Sequence, residues 1–223
     1  MQKVFRLRTF IPLLFVATGI STISVRASEL GLLLDKQFGQ TVSLSDPRLT
    51  GFKSVDPSGF GIRGAYTFLD LKVTEFGLSA TYHPKAQADL NLGTIPTGKI
   101  GNQYIALGAQ ADWKFLLNLH LGVELRQERV SQENSTLVAA PFPPTPQIVL
   151  VNSVAGTTNI TRPWVKAGIG FSIPSPAIKP FFRLEAAYAL KTYSLPNNTA
   201  TGDDLRKAVA PKYQVAIYGG IRF

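Results

Sequence analysis

Residues 116–126 read Leu-Leu-Asn-Leu-His-Leu-Gly-Val-Glu-Leu-Arg, and this stretch decides the fold. Leu117, Leu119, Leu121, Val123 and Leu125 take every second position, with Asn118, His120, Gly122, Glu124 and Arg126 between them. A helix would scatter these leucines round its circumference. A strand puts all of them on one face and all the polar residues on the other.

The same period-2 pattern recurs outward from there. In 103–113, Ile105, Leu107, Ala109, Ala111 and Trp113 alternate with Ala106, Gly108, Gln110 and Asp112. In 72–82, Phe76, Leu78, Ala80 and Tyr82 oppose Glu75, Gly77, Ser79 and Thr81. At 213–223, Tyr213, Val215, Ile217, Gly219, Ile221 and Phe223 oppose Gln214, Ala216, Tyr218, Gly220 and Arg222. Weaker versions lie at 29–38, 59–68, 162–172 and 180–190. Each segment is close to the ~9–11 residues that a tilted membrane-spanning strand needs.

Eight strands result, and the connections between them alternate in length. Leu69-Asp70, Lys114-Phe115 and the stretch from Ile173 to Lys179 are short. Segments 39–58, 83–101, 127–161 and 191–211 are long, polar and rich in turn residues. Short turns at one end and long loops at the other are the habit of antiparallel outer-membrane barrels. Aromatics fall near the strand ends: Phe68, Trp113, Phe171 and Phe223 at the short-turn end, and Phe38, Tyr82, Tyr188 and Tyr213 at the other. Two such belts suit two membrane interfaces. The expected fold is therefore all-β: a closed, antiparallel, up-and-down transmembrane β-barrel of about eight strands.

Composition agrees. The chain has 223 residues, 17% charged and 45% hydrophobic, with a mean hydropathy of +0.10. That is far too polar for a bundle of membrane helices and poor in charge for a soluble surface. No run after residue 27 approaches the ~20 apolar residues of a spanning helix. The first 27 residues read as a secretory signal: Lys3, Arg6 and Arg8 precede an apolar run from Phe10 to Val25, and Val25-Arg26-Ala27 offers a cleavage site before Ser28. An anchor helix is the other reading of this run, which Pro12 and Gly19 interrupt. Residues 28–223 form the barrel domain. Loss of Lys3, Arg6, Arg8 and Arg26 lowers the net charge from +9 to +5. In an exported chain, that balance suits anionic lipid headgroups and lipopolysaccharide; the absence of any basic run argues against nucleic acid. There is no cysteine, which excludes disulfides and thiolate chemistry.

The ending Tyr218-Gly219-Gly220-Ile221-Arg222-Phe223 resembles the C-terminal signature of bacterial outer-membrane proteins. Residues 28–223 resemble in architecture the small outer-membrane β-barrels, the opacity-protein-like and OmpA/OmpX/OmpW-like groups. The resemblance implies a place in the outer membrane and a C-terminus read by the barrel assembly machinery. Tyr213, Val215, Ile217, Ile221 and Phe223 match that signal, and Gly219 occupies one of its apolar slots. It implies nothing about activity.

The polar faces carry Asp35, Glu75, Asp112, Glu124 and Glu185 against Arg63, Arg126, Lys166, Arg183 and Arg222. An eight-stranded barrel is just wide enough to be filled by side chains, so charges inside it have to pair. They are expected to form an interlocking network that plugs the lumen; a narrow polar conduit is the alternative. His120 and Glu124 share a face but stand ~13 Å apart at ~3.3 Å per residue, too far to touch. His83 falls at the outer rim, beside Pro84 and Lys85, where a lipid-modifying hydrolase would need it near a serine and a carboxylate. Gly168-x-Gly170 and Gly219-Gly220 lie in strands, with no helix following to make a phosphate loop. No cluster has metal-ligand spacing, and no cofactor is expected. The reading is a non-enzymatic envelope protein for surface binding, adhesion or envelope stabilisation. A narrow porin or small-solute transporter is the alternative, followed by a lipid-modifying enzyme and a soluble periplasmic barrel. The external ligand is not legible.

Overall fold

Alternating side chains leave each strand with one apolar and one polar face, and the eight strands resolve this by closing on themselves. The computed structural model describes residues 28–39, 56–92, 95–133, 155–176, 178–195 and 201–223. The expected signal peptide, 1–27, lies outside the described residues, as do residue 177 and parts of the four long connections. The strands are β1 (Ser28–Phe38), β2 (Ser58–Leu71), β3 (Thr74–Leu92), β4 (Ile95–Trp113), β5 (Asn118–Glu133), β6 (Gly156–Ser172), β7 (Lys179–Ala189) and β8 (Tyr213–Arg222). A short helix, α1 (Gly202–Ala208), lies in the connection between β7 and β8. Each strand pairs antiparallel with its neighbours in sequence, and β8 returns to β1.

The register fixes the barrel's dimensions. Cross-strand partners lead from Phe38 through Tyr213, Tyr188, Val165, Val123, Ala109, Leu78 and Tyr66 back to Ser28, ten residues down the first strand. With ~3.3 Å per residue and ~4.7 Å between strands, that stagger tilts the strands by ~40° and gives a backbone radius of ~8 Å. At the β1–β8 seam a side chain on Gly31 would strike the Gly219 carbonyl oxygen and the Tyr218 ring, at 2.5 and 2.8 Å. Glycine there lets the tyrosine lie across the joint.

Barrel closure places the apolar face outside. Leu117, Leu119, Leu121, Val123 and Leu125 are all about half exposed, as are Leu30, Leu32 and Leu34 on β1 and Ile105 and Leu107 on β4. This apolar belt continues round all eight strands.

Three expectations about connections are corrected. The turn expected at Leu69-Asp70 lies at Lys72-Val73, because Leu69 and Asp70 still pair with Phe76 and Glu75; Lys72 takes the turn's left-handed conformation (φ 49°). The long loop expected at 83–101 is mostly strand: β3 and β4 continue as a hairpin to Leu92 and Ile95. Likewise β5 runs on to Glu133 and β6 begins at Gly156, inside the stretch read as loop 127–161. The cause is the belt itself. Above Leu125 the outward residues become Gln127, Arg129 and Glu133, while the inward ones include Val130, Ile160 and Ile100. Beyond the end of the belt the preference reverses, so the apolar row that reveals a strand stops halfway along it.

Candidate functional site

The lumen gathers nearly all the chemistry, because every inward position points at the same axis. All ten charged residues expected on the polar faces lie inside and are no more than 9% exposed: Asp35, Arg63, Glu75, Asp112, Glu124, Arg126, Lys166, Arg183, Glu185 and Arg222. They meet across the barrel as well as along strands.

At the short-turn end, Arg222 bonds Glu75 at 3.0 Å and also Glu29. Lys114 bridges Glu75 (2.7 Å) and Asp70 (2.8 Å) from the turn between β4 and β5. Burial and these two carboxylates act in opposite senses on Lys114, and the carboxylates prevail, raising its pKa. Arg183 reaches Asp112 at 2.9 Å, Glu185 at 3.4 Å and Glu29 at 3.6 Å. His120 bonds Asp112 at 2.9 Å.

Midway along the axis, Arg63 pairs with Glu185 at 2.6 Å and donates to Thr81. Glu124 is shared by Arg126 (2.5 Å) and Lys166 (3.4 Å). The Arg126 guanidinium lies between two rings, 4.0 Å from the centre of Trp164 and 4.4 Å from that of Tyr104. Asp35 accepts from Gln37 and Gln214 and bonds His83 at 2.8 Å. On the β7–β8–β1 side, Leu33, Phe181, Ala216 and Tyr218 fill the space with apolar surface.

Towards the long-loop end, Glu128 takes the Arg162 guanidinium and the Trp164 indole N–H (2.8 Å). Arg162 also donates to the carbonyl oxygens of Pro211 (2.8 Å) and Lys191 (3.4 Å), fastening both ends of the β7–β8 connection to β6. Above it, Leu205, Ala208 and Val209 of the α1 turn pack on Ile100, Val130 and Ile160. The helix carries a capping box between Thr201 and Asp204. Its Asp203 bonds Thr158 and Arg206, and both contacts hold the carboxylate below its ordinary value.

Several members of this assembly escape a reading of the sequence. Glu29 is the second residue of β1, where the strand pattern has barely started. Glu128 falls within the expected loop 127–161, and Arg162 at the expected start of a strand that in fact begins six residues earlier, at Gly156. Continuing the alternation from Glu124 and Arg126 would have found Glu128. His83 is corrected outright: it is fully buried inside the wall, held by Asp35 and the Pro84 carbonyl oxygen and stacked on Tyr104 at 4.8 Å. It continues the inward row of Glu75, Gly77, Ser79 and Thr81, one residue past the expected end of the strand at Tyr82. Tyr213, Val215, Ile217, Ile221 and Phe223 form one outward row at β8 and are 39–57% exposed. Among the described residues no group of His, Asp and Glu could hold a metal ion.

Paired charges thus lie within the lumen at each of these levels. Opposed charges buried in direct contact are costly to separate, because each would be left without its partner and without water.

No family model matches the sequence, and no curated protein matches it. Among solved structures the chain is similar to Neisserial surface protein A, with a TM-score of 0.44 and 13% identity over 89% of this chain and 96% of that one. It is similar to Ail, the attachment invasion locus protein of Yersinia pestis, with a TM-score of 0.45 and 14% identity over 90% and 100%. It is also similar to the outer membrane protein OprG from Pseudomonas aeruginosa, with a TM-score of 0.46 and 9% identity over 88% and 94%. The likeness is one of fold: a small, closed, eight-stranded barrel of the kind found in outer membranes.

Proposed function

We propose that this chain is exported, inserted in an outer membrane as a closed, non-conducting barrel, and works at its outer surface, in binding, adhesion or envelope stabilisation, without enzymatic activity. The observation that carries the reading is the lumen. Interlocked ion pairs and the Arg126 stack succeed one another along the axis, and the ten expected charged groups among them are at most 9% exposed. Water and solutes need a continuous path that these side chains occupy. The apolar belt supports the membrane placement, since a half-exposed apolar row on every side has no use in water. The outward row at β8 supports recognition of the C-terminus by assembly machinery. The burial of His83 weighs against a hydrolytic site at the rim.

The test is planar-bilayer conductance of purified protein whose folding is first verified by a heated-versus-unheated gel shift. Folded protein is expected to remain silent. Discrete, reproducible current steps would refute the plugged lumen and favour the narrow porin.

A further inference from the structure

The outer end of the belt is not uniform. On β7, β8 and β1 the apolar rows run up through Ala186, Val215 and Leu34 and then meet Tyr188, Tyr213 and Phe38, which are register partners in one row. Tyr188 and Tyr213 pack with ring centres 5.2 Å apart. Two lysines lie against this row. Lys36 points outward on β1, one outward position below Phe38, with its ammonium 5.5 Å from that ring. The Lys212 ammonium lies 5.6 Å from the Tyr188 ring and 5.4 Å from the Tyr213 ring, and the Lys212 backbone N–H donates to the Phe38 carbonyl oxygen.

Neither ammonium has a carboxylate partner among the described residues. That sets them apart from the lumen, where the expected cations all meet acids, and from Lys85 on the opposite wall, which pairs with Glu133. A cation at the margin of hydrocarbon is costly unless its head reaches an anion or water. Here two cations border one patch of aromatic rings at the upper end of the apolar belt.

We propose that Lys36 and Lys212, set against Phe38, Tyr188 and Tyr213, form a binding site for the phosphate of an outer-leaflet glycolipid headgroup. The ammoniums supply two charge-assisted contacts to the phosphate. The ring faces suit the C–H face of an adjoining sugar, which a plain phospholipid lacks. The acyl chains then lie along Leu34, Val215 and Ala186 below. The inference rests on the membrane placement proposed above.

The experiment is native mass spectrometry of the full chain purified from membranes in non-ionic detergent. The probes are a bisphosphorylated, acylated glucosamine disaccharide, its dephosphorylated form, and phosphatidylglycerol. Wild-type protein is expected to retain the bisphosphorylated glycolipid in preference to both others. The K36Q and K212Q variants should each bind it roughly five- to tenfold more weakly, and the double variant should lose the preference. The double Lys→Arg variant should keep it, and Lys99→Gln, on the far wall, should not alter it. Equal retention by wild type and the double Gln variant, or equal binding of the dephosphorylated lipid, would overturn the site. A preference for phosphatidylglycerol would overturn the glycolipid assignment. A heat-dependent gel shift in every variant separates these outcomes from misfolding. A wild-type chain that stays soluble without detergent and shows no shift would instead refute the membrane placement.

Discussion

Removing the Arg162 charge while keeping its bulk offers the sharpest test of the lumen network. Arg162→Met leaves the Glu128 carboxylate, which is 0% exposed, with the Trp164 N–H as its donor. Breaking a buried pair from one side in this way costs about 3–5 kcal/mol, because the surviving charge stays buried. Glu128→Gln is expected to cost less, about 1–3 kcal/mol. The amide oxygen still accepts from Trp164, and Arg162 keeps the Pro211 and Lys191 carbonyl oxygens. The double variant has no isolated charge and should lie within about 1 kcal/mol of wild type, since a neutral pair of similar volume often replaces a buried ion pair without loss. The coupling between the two sites is therefore about 3 kcal/mol or more. The assay is equilibrium urea unfolding from lipid vesicles, followed by tryptophan emission. Trp164 touches both residues and is one of only two tryptophans in the chain. If Arg162→Met alone stays within about 1 kcal/mol of wild type, Glu128 is hydrated through the mouth and the closed lumen is wrong.

The remaining expectations concern the belt, the seam and α1. Leu121→Arg, in the middle of the apolar belt, should destabilise the barrel in vesicles by about 2–4 kcal/mol, whereas Arg129→Leu, above the belt, should change little; equal effects in urea titrations would argue against lipid round the leucine face. Gly31→Val should cost about 1–3 kcal/mol or block closure, because the new side chain strikes backbone and ring at the β1–β8 seam; an unchanged gel shift and midpoint would count against the observed register. Leu205→Asp should free α1 from Ile100, Val130 and Ile160, giving rapid proteolysis between 190 and 212 while the heat-dependent gel shift persists; continued resistance would show that α1 is not held by this contact. Because Asp203 is held below its ordinary value, its anchoring of α1 is fully present above 3.8 and weakens only as pH falls through its lowered value. Amide exchange of residues 205–209 should follow its intrinsic trend from neutral pH down to that point and accelerate beyond it below, and Asp203→Asn should remove the step.

The strands were legible where the barrel's outer surface and its lumen make opposite demands. From Leu117 to Leu125 every second residue must be apolar outside and every other one polar inside, so the row names both the strand and its face. The ten charged lumen residues followed from the same rule, because within a regular strand a residue's side of the wall depends only on its parity. Glu128, Arg162 and the upper halves of β3, β4, β5 and β6 lay beyond the belt. There outward residues are polar and inward ones mixed, and a single chain gives no contrast to read. His83 was lost in the same way, since it keeps the parity of Thr81 but follows the last apolar outward residue, Tyr82. Ala86 shows another limit. The bulge between His83 and Ala86 swaps the parity and turns this even-numbered residue inward, and its cause lies in the pairing of two strands.

The residues alone determined that this chain alternates in eight segments of spanning length, and hence that it closes into a barrel with an apolar exterior and a balanced set of charges within. Only the tertiary structure decided which charge meets which, because Arg63 and Glu185, or Glu29 and Arg222, are brought together by a ten-residue stagger round a wall of ~8 Å radius. It alone also decided that a seven-residue helix packs against the upper parts of β4, β5 and β6. A helix that short is not stable by itself; it exists because Ile100, Val130 and Ile160 give its apolar side somewhere to go.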